Sequence, residues 1–191
     1  MRRFLIALLV IVAIYFLLRP STVASQPRVG QALPTFVVQD LAGTRHTPRD
    51  LVGEYTVICA MTDKDIGDTL EAWWRAVELG VPPGTRMLTF SALDLFGLIP
   101  TSTVVSLARE RTPRNHWSTV WLSRDGSLAE SLGLADSELP WVFVLDRSGR
   151  VLVRVHAVLN SADLTRVLAA IPRPEPRADA LRDAGAGDRG R

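Results

Sequence analysis

Apolar and polar positions alternate in register with strands and helices through most of this chain, after an opening segment that does not alternate at all. Residues Phe4–Leu18 form an unbroken apolar run of 15 residues behind Arg2 and Arg3 and ahead of Arg19-Pro20. The stretch from about Gln26 to Leu51 is punctuated by Pro27, Gly30, Pro34, Gly43 and Pro48, so turns dominate it and Thr35–Gln39 is its one strand candidate. Tyr55–Met61 is continuously β-branched and apolar, the mark of a strand buried on both faces. Leu70, Trp73, Trp74 and Val77 follow the i, i+3, i+4, i+7 spacing of an amphipathic helix over 68–79, which Gly80 and Pro82-Pro83 end. Arg86–Leu93 reads as a strand, 101–111 as a helix stopped by Pro113, and Ser118–Ser123 as a strand turned by Asp125-Gly126. A short helix over 127–132 follows. Trp141–Asp146 and Val151–Ala157, joined by Arg147-Ser148-Gly149, read as a β-hairpin. Asn160-Ser161 caps a last helix over 162–171, and Pro172 stops it.

This order predicts an α/β domain over 26–171, a mixed sheet with a parallel part and an antiparallel hairpin edge, flanked by helices. Residues 172–191 are rich in Pro, Arg, Ala, Asp and Gly, carry almost no apolar side chains, and are expected to be a disordered tail. Residues 1–25 read as a signal anchor or signal peptide. As a helix the apolar run is about 22 Å long, short of the roughly 20 residues of a relaxed span. Cleavage after Ala24 or Ser25 and retention through Tyr15 and a snorkelling Arg19 are both open. The Arg2-Arg3 flank predicts a cytoplasmic N-terminus and an extracytoplasmic body, membrane-anchored through residues 4–18 or secreted.

Charge removes one class of partner. The formal net charge is +2, but residues 20–171 hold 14 basic and 16 acidic side chains, so the excess lies in the two ends. Lys64 is the only lysine. The folded part has no basic footprint for nucleic acid. One cysteine, Cys59, excludes an intramolecular disulfide and a cysteine-based zinc site. His46, His116 and His156 have no metal-ligand spacing. No cofactor is expected.

Two segments carry a likeness. Val29-Gly30-Gln31-Ala32-Leu33-Pro34-Thr35-Phe36, with Leu51-Val52-Gly53 after it, and Glu138-Leu139-Pro140-Trp141-Val142-Phe143-Val144-Leu145-Asp146-Arg147-Ser148-Gly149-Arg150-Val151 resemble the entry and the hairpin of thioredoxin-like proteins of the peroxiredoxin and membrane-tethered type. The resemblance covers about 29–171. Leu51-Val52-Gly53, Ile99-Pro100, the hairpin and Asn160-Ser161-Ala162-Asp163-Leu164 are also similar to the YtfJ-type periplasmic family. The resemblance implies that Pro140 is cis and that Leu139, Pro140 and Trp141 face a bound protein or peptide.

The resemblance also places a Cys-x-x-Cys motif where the first core strand meets its helix. There the chain reads Asp65-Ile66-Gly67-Asp68, with carboxylates where the sulfurs belong. A carboxylate cannot perform thiol–disulfide exchange. Asp65 and Asp68 are therefore candidate degenerate redox positions. Asp68-Thr69-Leu70-Glu71 also matches a capping box, with Asp68 as N-cap and Glu71 reaching back. Asp63, Asp65 and Asp68 could alternatively form a metal-dependent site. A haloacid-dehalogenase-type phosphatase needs a later Lys that this chain lacks, and an EF-hand fails because Gly67 falls one place early and no Glu closes the loop. The sequence favours an extracytoplasmic, non-catalytic binding or regulatory domain. The alternative is a thiol oxidoreductase or peroxiredoxin-like antioxidant protein acting through Cys59 or a partner's thiols, although Cys59 lies inside an apolar strand, where a thiol is ordinarily inert.

Overall fold

The computed structural model describes residues 26–95 and 100–173. The strands are β1 (Val38–Asp40), β2 (Arg45–His46), β3 (Thr56–Met61), β4 (Arg86–Ala92), β5 (Val120–Ser123), β6 (Trp141–Leu145) and β7 (Val151–His156). The helices are α1 (Gly67–Gly80), α2 (Thr101–Arg111), α3 (Ser127–Leu132) and α4 (Ser161–Ala169). Short 3-10 turns occupy Pro48–Leu51 and Arg114–Thr119. The expectations for residues 1–25 and for most of the tail, from 174 on, fall outside the described residues. Among those described, no helix is long and apolar enough to cross a membrane.

All seven strands join one mixed sheet in the order β2-β1-β5-β4-β3-β6-β7. β3, β4 and β5 are parallel, and β6 runs antiparallel to β3 and β7. The apolar runs of β3 and β6 have their physical reason in this order: both strands are central and covered on both faces. Ile58, Ala60, Trp141, Phe143 and Leu145 point to one face, where Leu33, Phe36, Leu128 and Leu132 cover them. Val57, Cys59, Val142 and Val144 point to the other, under Leu70, Trp73 and Val77 of α1 and Val167 of α4.

Helix α1 packs closely against α4. A Cβ at Gly80 would lie 2.5 Å from Leu168 Cδ1, so a larger residue there would have to displace the Leu168 side chain. The indole N–H of Trp73 donates to the Ala157 carbonyl at 2.9 Å, fixing α1 to the end of β7. Asn160 caps α4 as expected, its Oδ1 accepting from the Asp163 amide at 2.9 Å.

Two local expectations change. The first strand lies at Val38–Asp40, later than Thr35–Gln39, because Asp40 closes a tight turn through Thr44 and Gly43 that returns the chain as β2. Ser118 and Thr119 complete a 3-10 turn before β5, so Trp117 is outside the sheet; its indole donates to the Thr112 carbonyl.

Candidate functional site

β3 ends at Met61, and its exit is the first part of the site. Asp63 Oδ1 accepts from the Asp65 amide at 2.8 Å, an Asx turn that bends the chain toward α1. Lys64 and Asp65 form an exposed ion pair at 2.6 Å. The helix begins at Gly67 with Ile66 as its N-cap, so the expected capping box of Asp68 and Glu71 is absent. Ile66 is buried, and its carbonyl accepts from the Leu70 amide at 3.0 Å. Burying an isoleucine contributes about 1.5–3 kcal/mol, against about 1 kcal/mol for a side-chain cap. The apolar anchor therefore sets the N-cap two residues earlier, and Asp68 falls inside the first turn, where it complements the helix dipole. Glu71 pairs instead with Arg75 along the helix. Asp63, Asp65 and Asp68 do not form a metal-binding group; among the described residues no such group of three exists.

Cys59 lies in the middle of β3, 0% exposed, paired in register with Thr89 and Val142. Burial pushes its thiol up to about 12. It faces the apolar side beneath α1 and α4, away from any solvent path to a thiolate.

The loop before β6 is the second part of the site. Thr62 Oγ1 donates to the Ala135 carbonyl and accepts from the Ser137 amide, both at 3.1 Å. Ser137 Oγ in turn accepts from the Leu139 amide at 3.0 Å and shares a 2.9 Å hydrogen bond with His156 Nε2. The His156 ring stacks on Trp141 with centroids 3.6 Å apart and planes 2° from parallel. Burial holds the His156 imidazole below its ordinary range; a hydrogen bond to the Leu139 backbone pulls the other way, and Arg154 adds to the lowering.

Of the expected binding residues, Leu139 stands at the rim, 36% exposed, while Pro140 and Trp141 are buried. The Leu139–Pro140 peptide is trans, contrary to the expectation of a cis proline. The trans isomer is favoured by about 0.5–1 kcal/mol, and the bonds of Ser137 fix the approach to β6 without a reversal at this peptide. The turn and the loop meet through Thr62 and Ser137; Asp65 and Asp68 take no part in that contact. Thr62, Ser137, His156 and Arg154 were not legible as site residues. Their partners lie far along the chain, and no local motif marks them.

No family model matches the chain, and no curated protein matches it. Solved structures do. A pneumococcal exposed lipoprotein thioredoxin from Streptococcus pneumoniae superposes with a TM-score of 0.51 at 12% identity, over 72% of this chain and 99% of that one. BsSco, of the Sco family of cytochrome c oxidase assembly proteins, gives 0.52 at 14% identity, over 75% and 96%. The fold is thioredoxin-like. A thiol peroxidase from Chromobacterium violaceum extends the match to 84% of this chain and 87% of its own, at 0.51 and 14% identity. Such identities establish the thioredoxin-like architecture alone. Against it, the turn after β3 is the position where the sequence reading placed the redox motif, and this chain's one cysteine is elsewhere.

Proposed function

We propose that the chain is a thioredoxin-like binding or regulatory domain that works outside the cytoplasm without thiol redox chemistry. One observation carries the reading: its one cysteine is fully buried in β3, with the thiol pushed up to about 12, so the thiolate needed for exchange or peroxide attack is neither formed nor reachable near neutral pH. The turn that opens α1 offers carboxylates and an amine in place of sulfur. The binding face of this reading is the loop tied together by Ser137, with Leu139 at its rim and Trp141 behind it. The apolar segment Phe4–Leu18 behind Arg2-Arg3 supports an extracytoplasmic setting, as does the likeness of short motifs to YtfJ-type periplasmic proteins.

The test is thiol accessibility and turnover in the full chain. Iodoacetamide should label Cys59 only after denaturation, and the native protein should neither reduce insulin disulfides nor consume peroxide. Rapid native labelling, together with an activity that Cys59→Ser abolishes, would overturn the reading in favour of a thiol oxidoreductase or antioxidant protein.

A further inference from the structure

Where β7 meets α4, beside the Leu139–Pro140 loop, the surface opens into a cleft of about 450 Å³ lined by Gln26, Trp141, Arg154, His156, Asp163 and Arg166. Its walls are mostly polar, which argues against an apolar ligand. Trp141 is 3% exposed, yet its indole N–H has no acceptor, the only buried side-chain polar atom so placed among the described residues. Buried indole N–H groups ordinarily find a partner. Those of Trp73, Trp117 and Trp121 each donate to a backbone carbonyl. The His156 ring stacked on Trp141 holds the indole in place, so its unmet donor is fixed in orientation.

Charge around that donor is uneven. The Arg154 guanidinium lies 5.9 Å from the centroid of the Trp141 ring and donates to the neutral Gln26 Oε1 at 2.7 Å. Arg166 donates to the Arg154 carbonyl at 2.9 Å and lies 3.5 Å from Asp163 Oδ1. Asp163 is also engaged by the Asn160 amide at 2.7 Å. With His156 neutral, two guanidinium groups and one carboxylate leave the cleft with a single positive charge. A monoanion balances that charge. A carboxylate also matches the planar fork of an arginine.

We propose that this cleft binds a carboxylate-bearing ligand, with Arg154 pairing with the carboxylate and the Trp141 indole N–H donating to an oxygen of the same ligand. The proposal rests on the binding reading above and names its ligand chemistry. A peptide C-terminus and a small free acid share this chemistry, and the experiment separates them.

The probe is the indole region of the proton–nitrogen NMR spectrum of the full chain, with the Trp141 signal assigned by Trp141→Phe. Titration with N-acetylglycine should move that signal saturably, while N-acetylglycinamide, the same molecule without the charge, should leave it in place. Arg154→Gln should weaken the response about tenfold, as expected for loss of a hydrogen bond to a charged group. The signals of Trp73 and Trp121 report whether the variant is folded, and Arg166→Gln serves if it is not. Tighter binding of an N-acetylated tripeptide acid than of acetate assigns the site to a chain terminus; equal affinity assigns it to a small acid. No saturable movement, an equal response to the amide, or tighter binding of inorganic phosphate overturns the proposal. Any of these would leave the accessibility of Cys59 unchanged, so failure here is distinct from failure of the non-redox reading.

Discussion

The turn from Asp63 to Ile66 takes its bend from side chains one or two positions away, whereas the loop from Ala135 to Pro140, besides one local bond between the Leu139 amide and Ser137, is held by residues 19 and 75 positions away. Both lie at the same end of the sheet and they share one contact, Thr62 with Ser137. Beyond the buried Thr62, the turn consists of the half-buried Asp63 and the exposed Lys64 and Asp65, and its one apolar anchor is Ile66. The loop is a hub in which one serine bonds to the end of β3, to the Leu139 amide and to a histidine on β7. The difference teaches where change is tolerated. A turn held by local bonds can exchange its side chains without disturbing the sheet. A loop held by distant partners cannot, because each bond it loses also frees a neighbouring element.

The sharpest way to break this contrast is Trp141→Ala. Truncating a tryptophan at the start of a central strand should cost about 3–5 kcal/mol, read as a fall in the urea midpoint. A cost no larger than that of a turn variant would show that the loop side is not the stiffer one. Next in size is Thr62→Val, which keeps the shape of the side chain and removes its hydroxyl bonds to the loop. It should cost about 1–3 kcal/mol, since the Ser137 amide loses its partner. Asp63→Ala, which removes only the local Asx bond, should cost about 0.5–1.5 kcal/mol. Equal midpoints for the two variants would erase the distinction between distant and local bonds.

The smallest effect concerns pH. Burial holds His156 below its ordinary value, so as pH falls the unfolded chain takes up the proton first. The stability this group contributes is complete above its ordinary value, about 6.5, and falls as pH drops from there toward its folded value. A histidine NMR titration should place His156 below the ordinary range, and urea midpoints across that window should decline with a slope that His156→Gln removes. A His156 titration at or above the ordinary value would contradict the burial on which the stacked Trp141–His156 pair depends.

Much of the fold was legible because its signals are local. The continuous apolar run of 55–61, the helical spacing of Leu70, Trp73 and Val77, and the Asn160 cap each depend on near neighbours, and each matches the structure closely. The start of α1 was misread for an instructive reason. Asp68 and Glu71 have the spacing of a capping box, but Ile66 finds a buried place against the core, a contact that no local pattern reveals. The cis geometry expected at Pro140 was carried by resemblance, and the bonds around Ser137 hold the loop with a trans peptide. The site was least legible where its partners are most distant. Nothing in Asp136-Ser137-Glu138 marks Ser137 as a hub, and nothing near Arg154 announces that Arg166 and Gln26 will meet it.

The sequence by itself determined that this chain cannot pair two cysteines, that its strands and helices alternate as an α/β domain, and that the turn after β3 carries carboxylates. These follow from composition and short-range periodicity, which need no knowledge of what lies across the sheet. Only the tertiary structure decided that Cys59 is sealed beneath α1 and α4, that Thr62 and Ser137 join the turn to the loop, and that Trp141, in a cleft it shares with two arginines, keeps an unmet donor. Burial, and the proximity of groups far apart along the chain, arise when the sheet is assembled and its faces are covered.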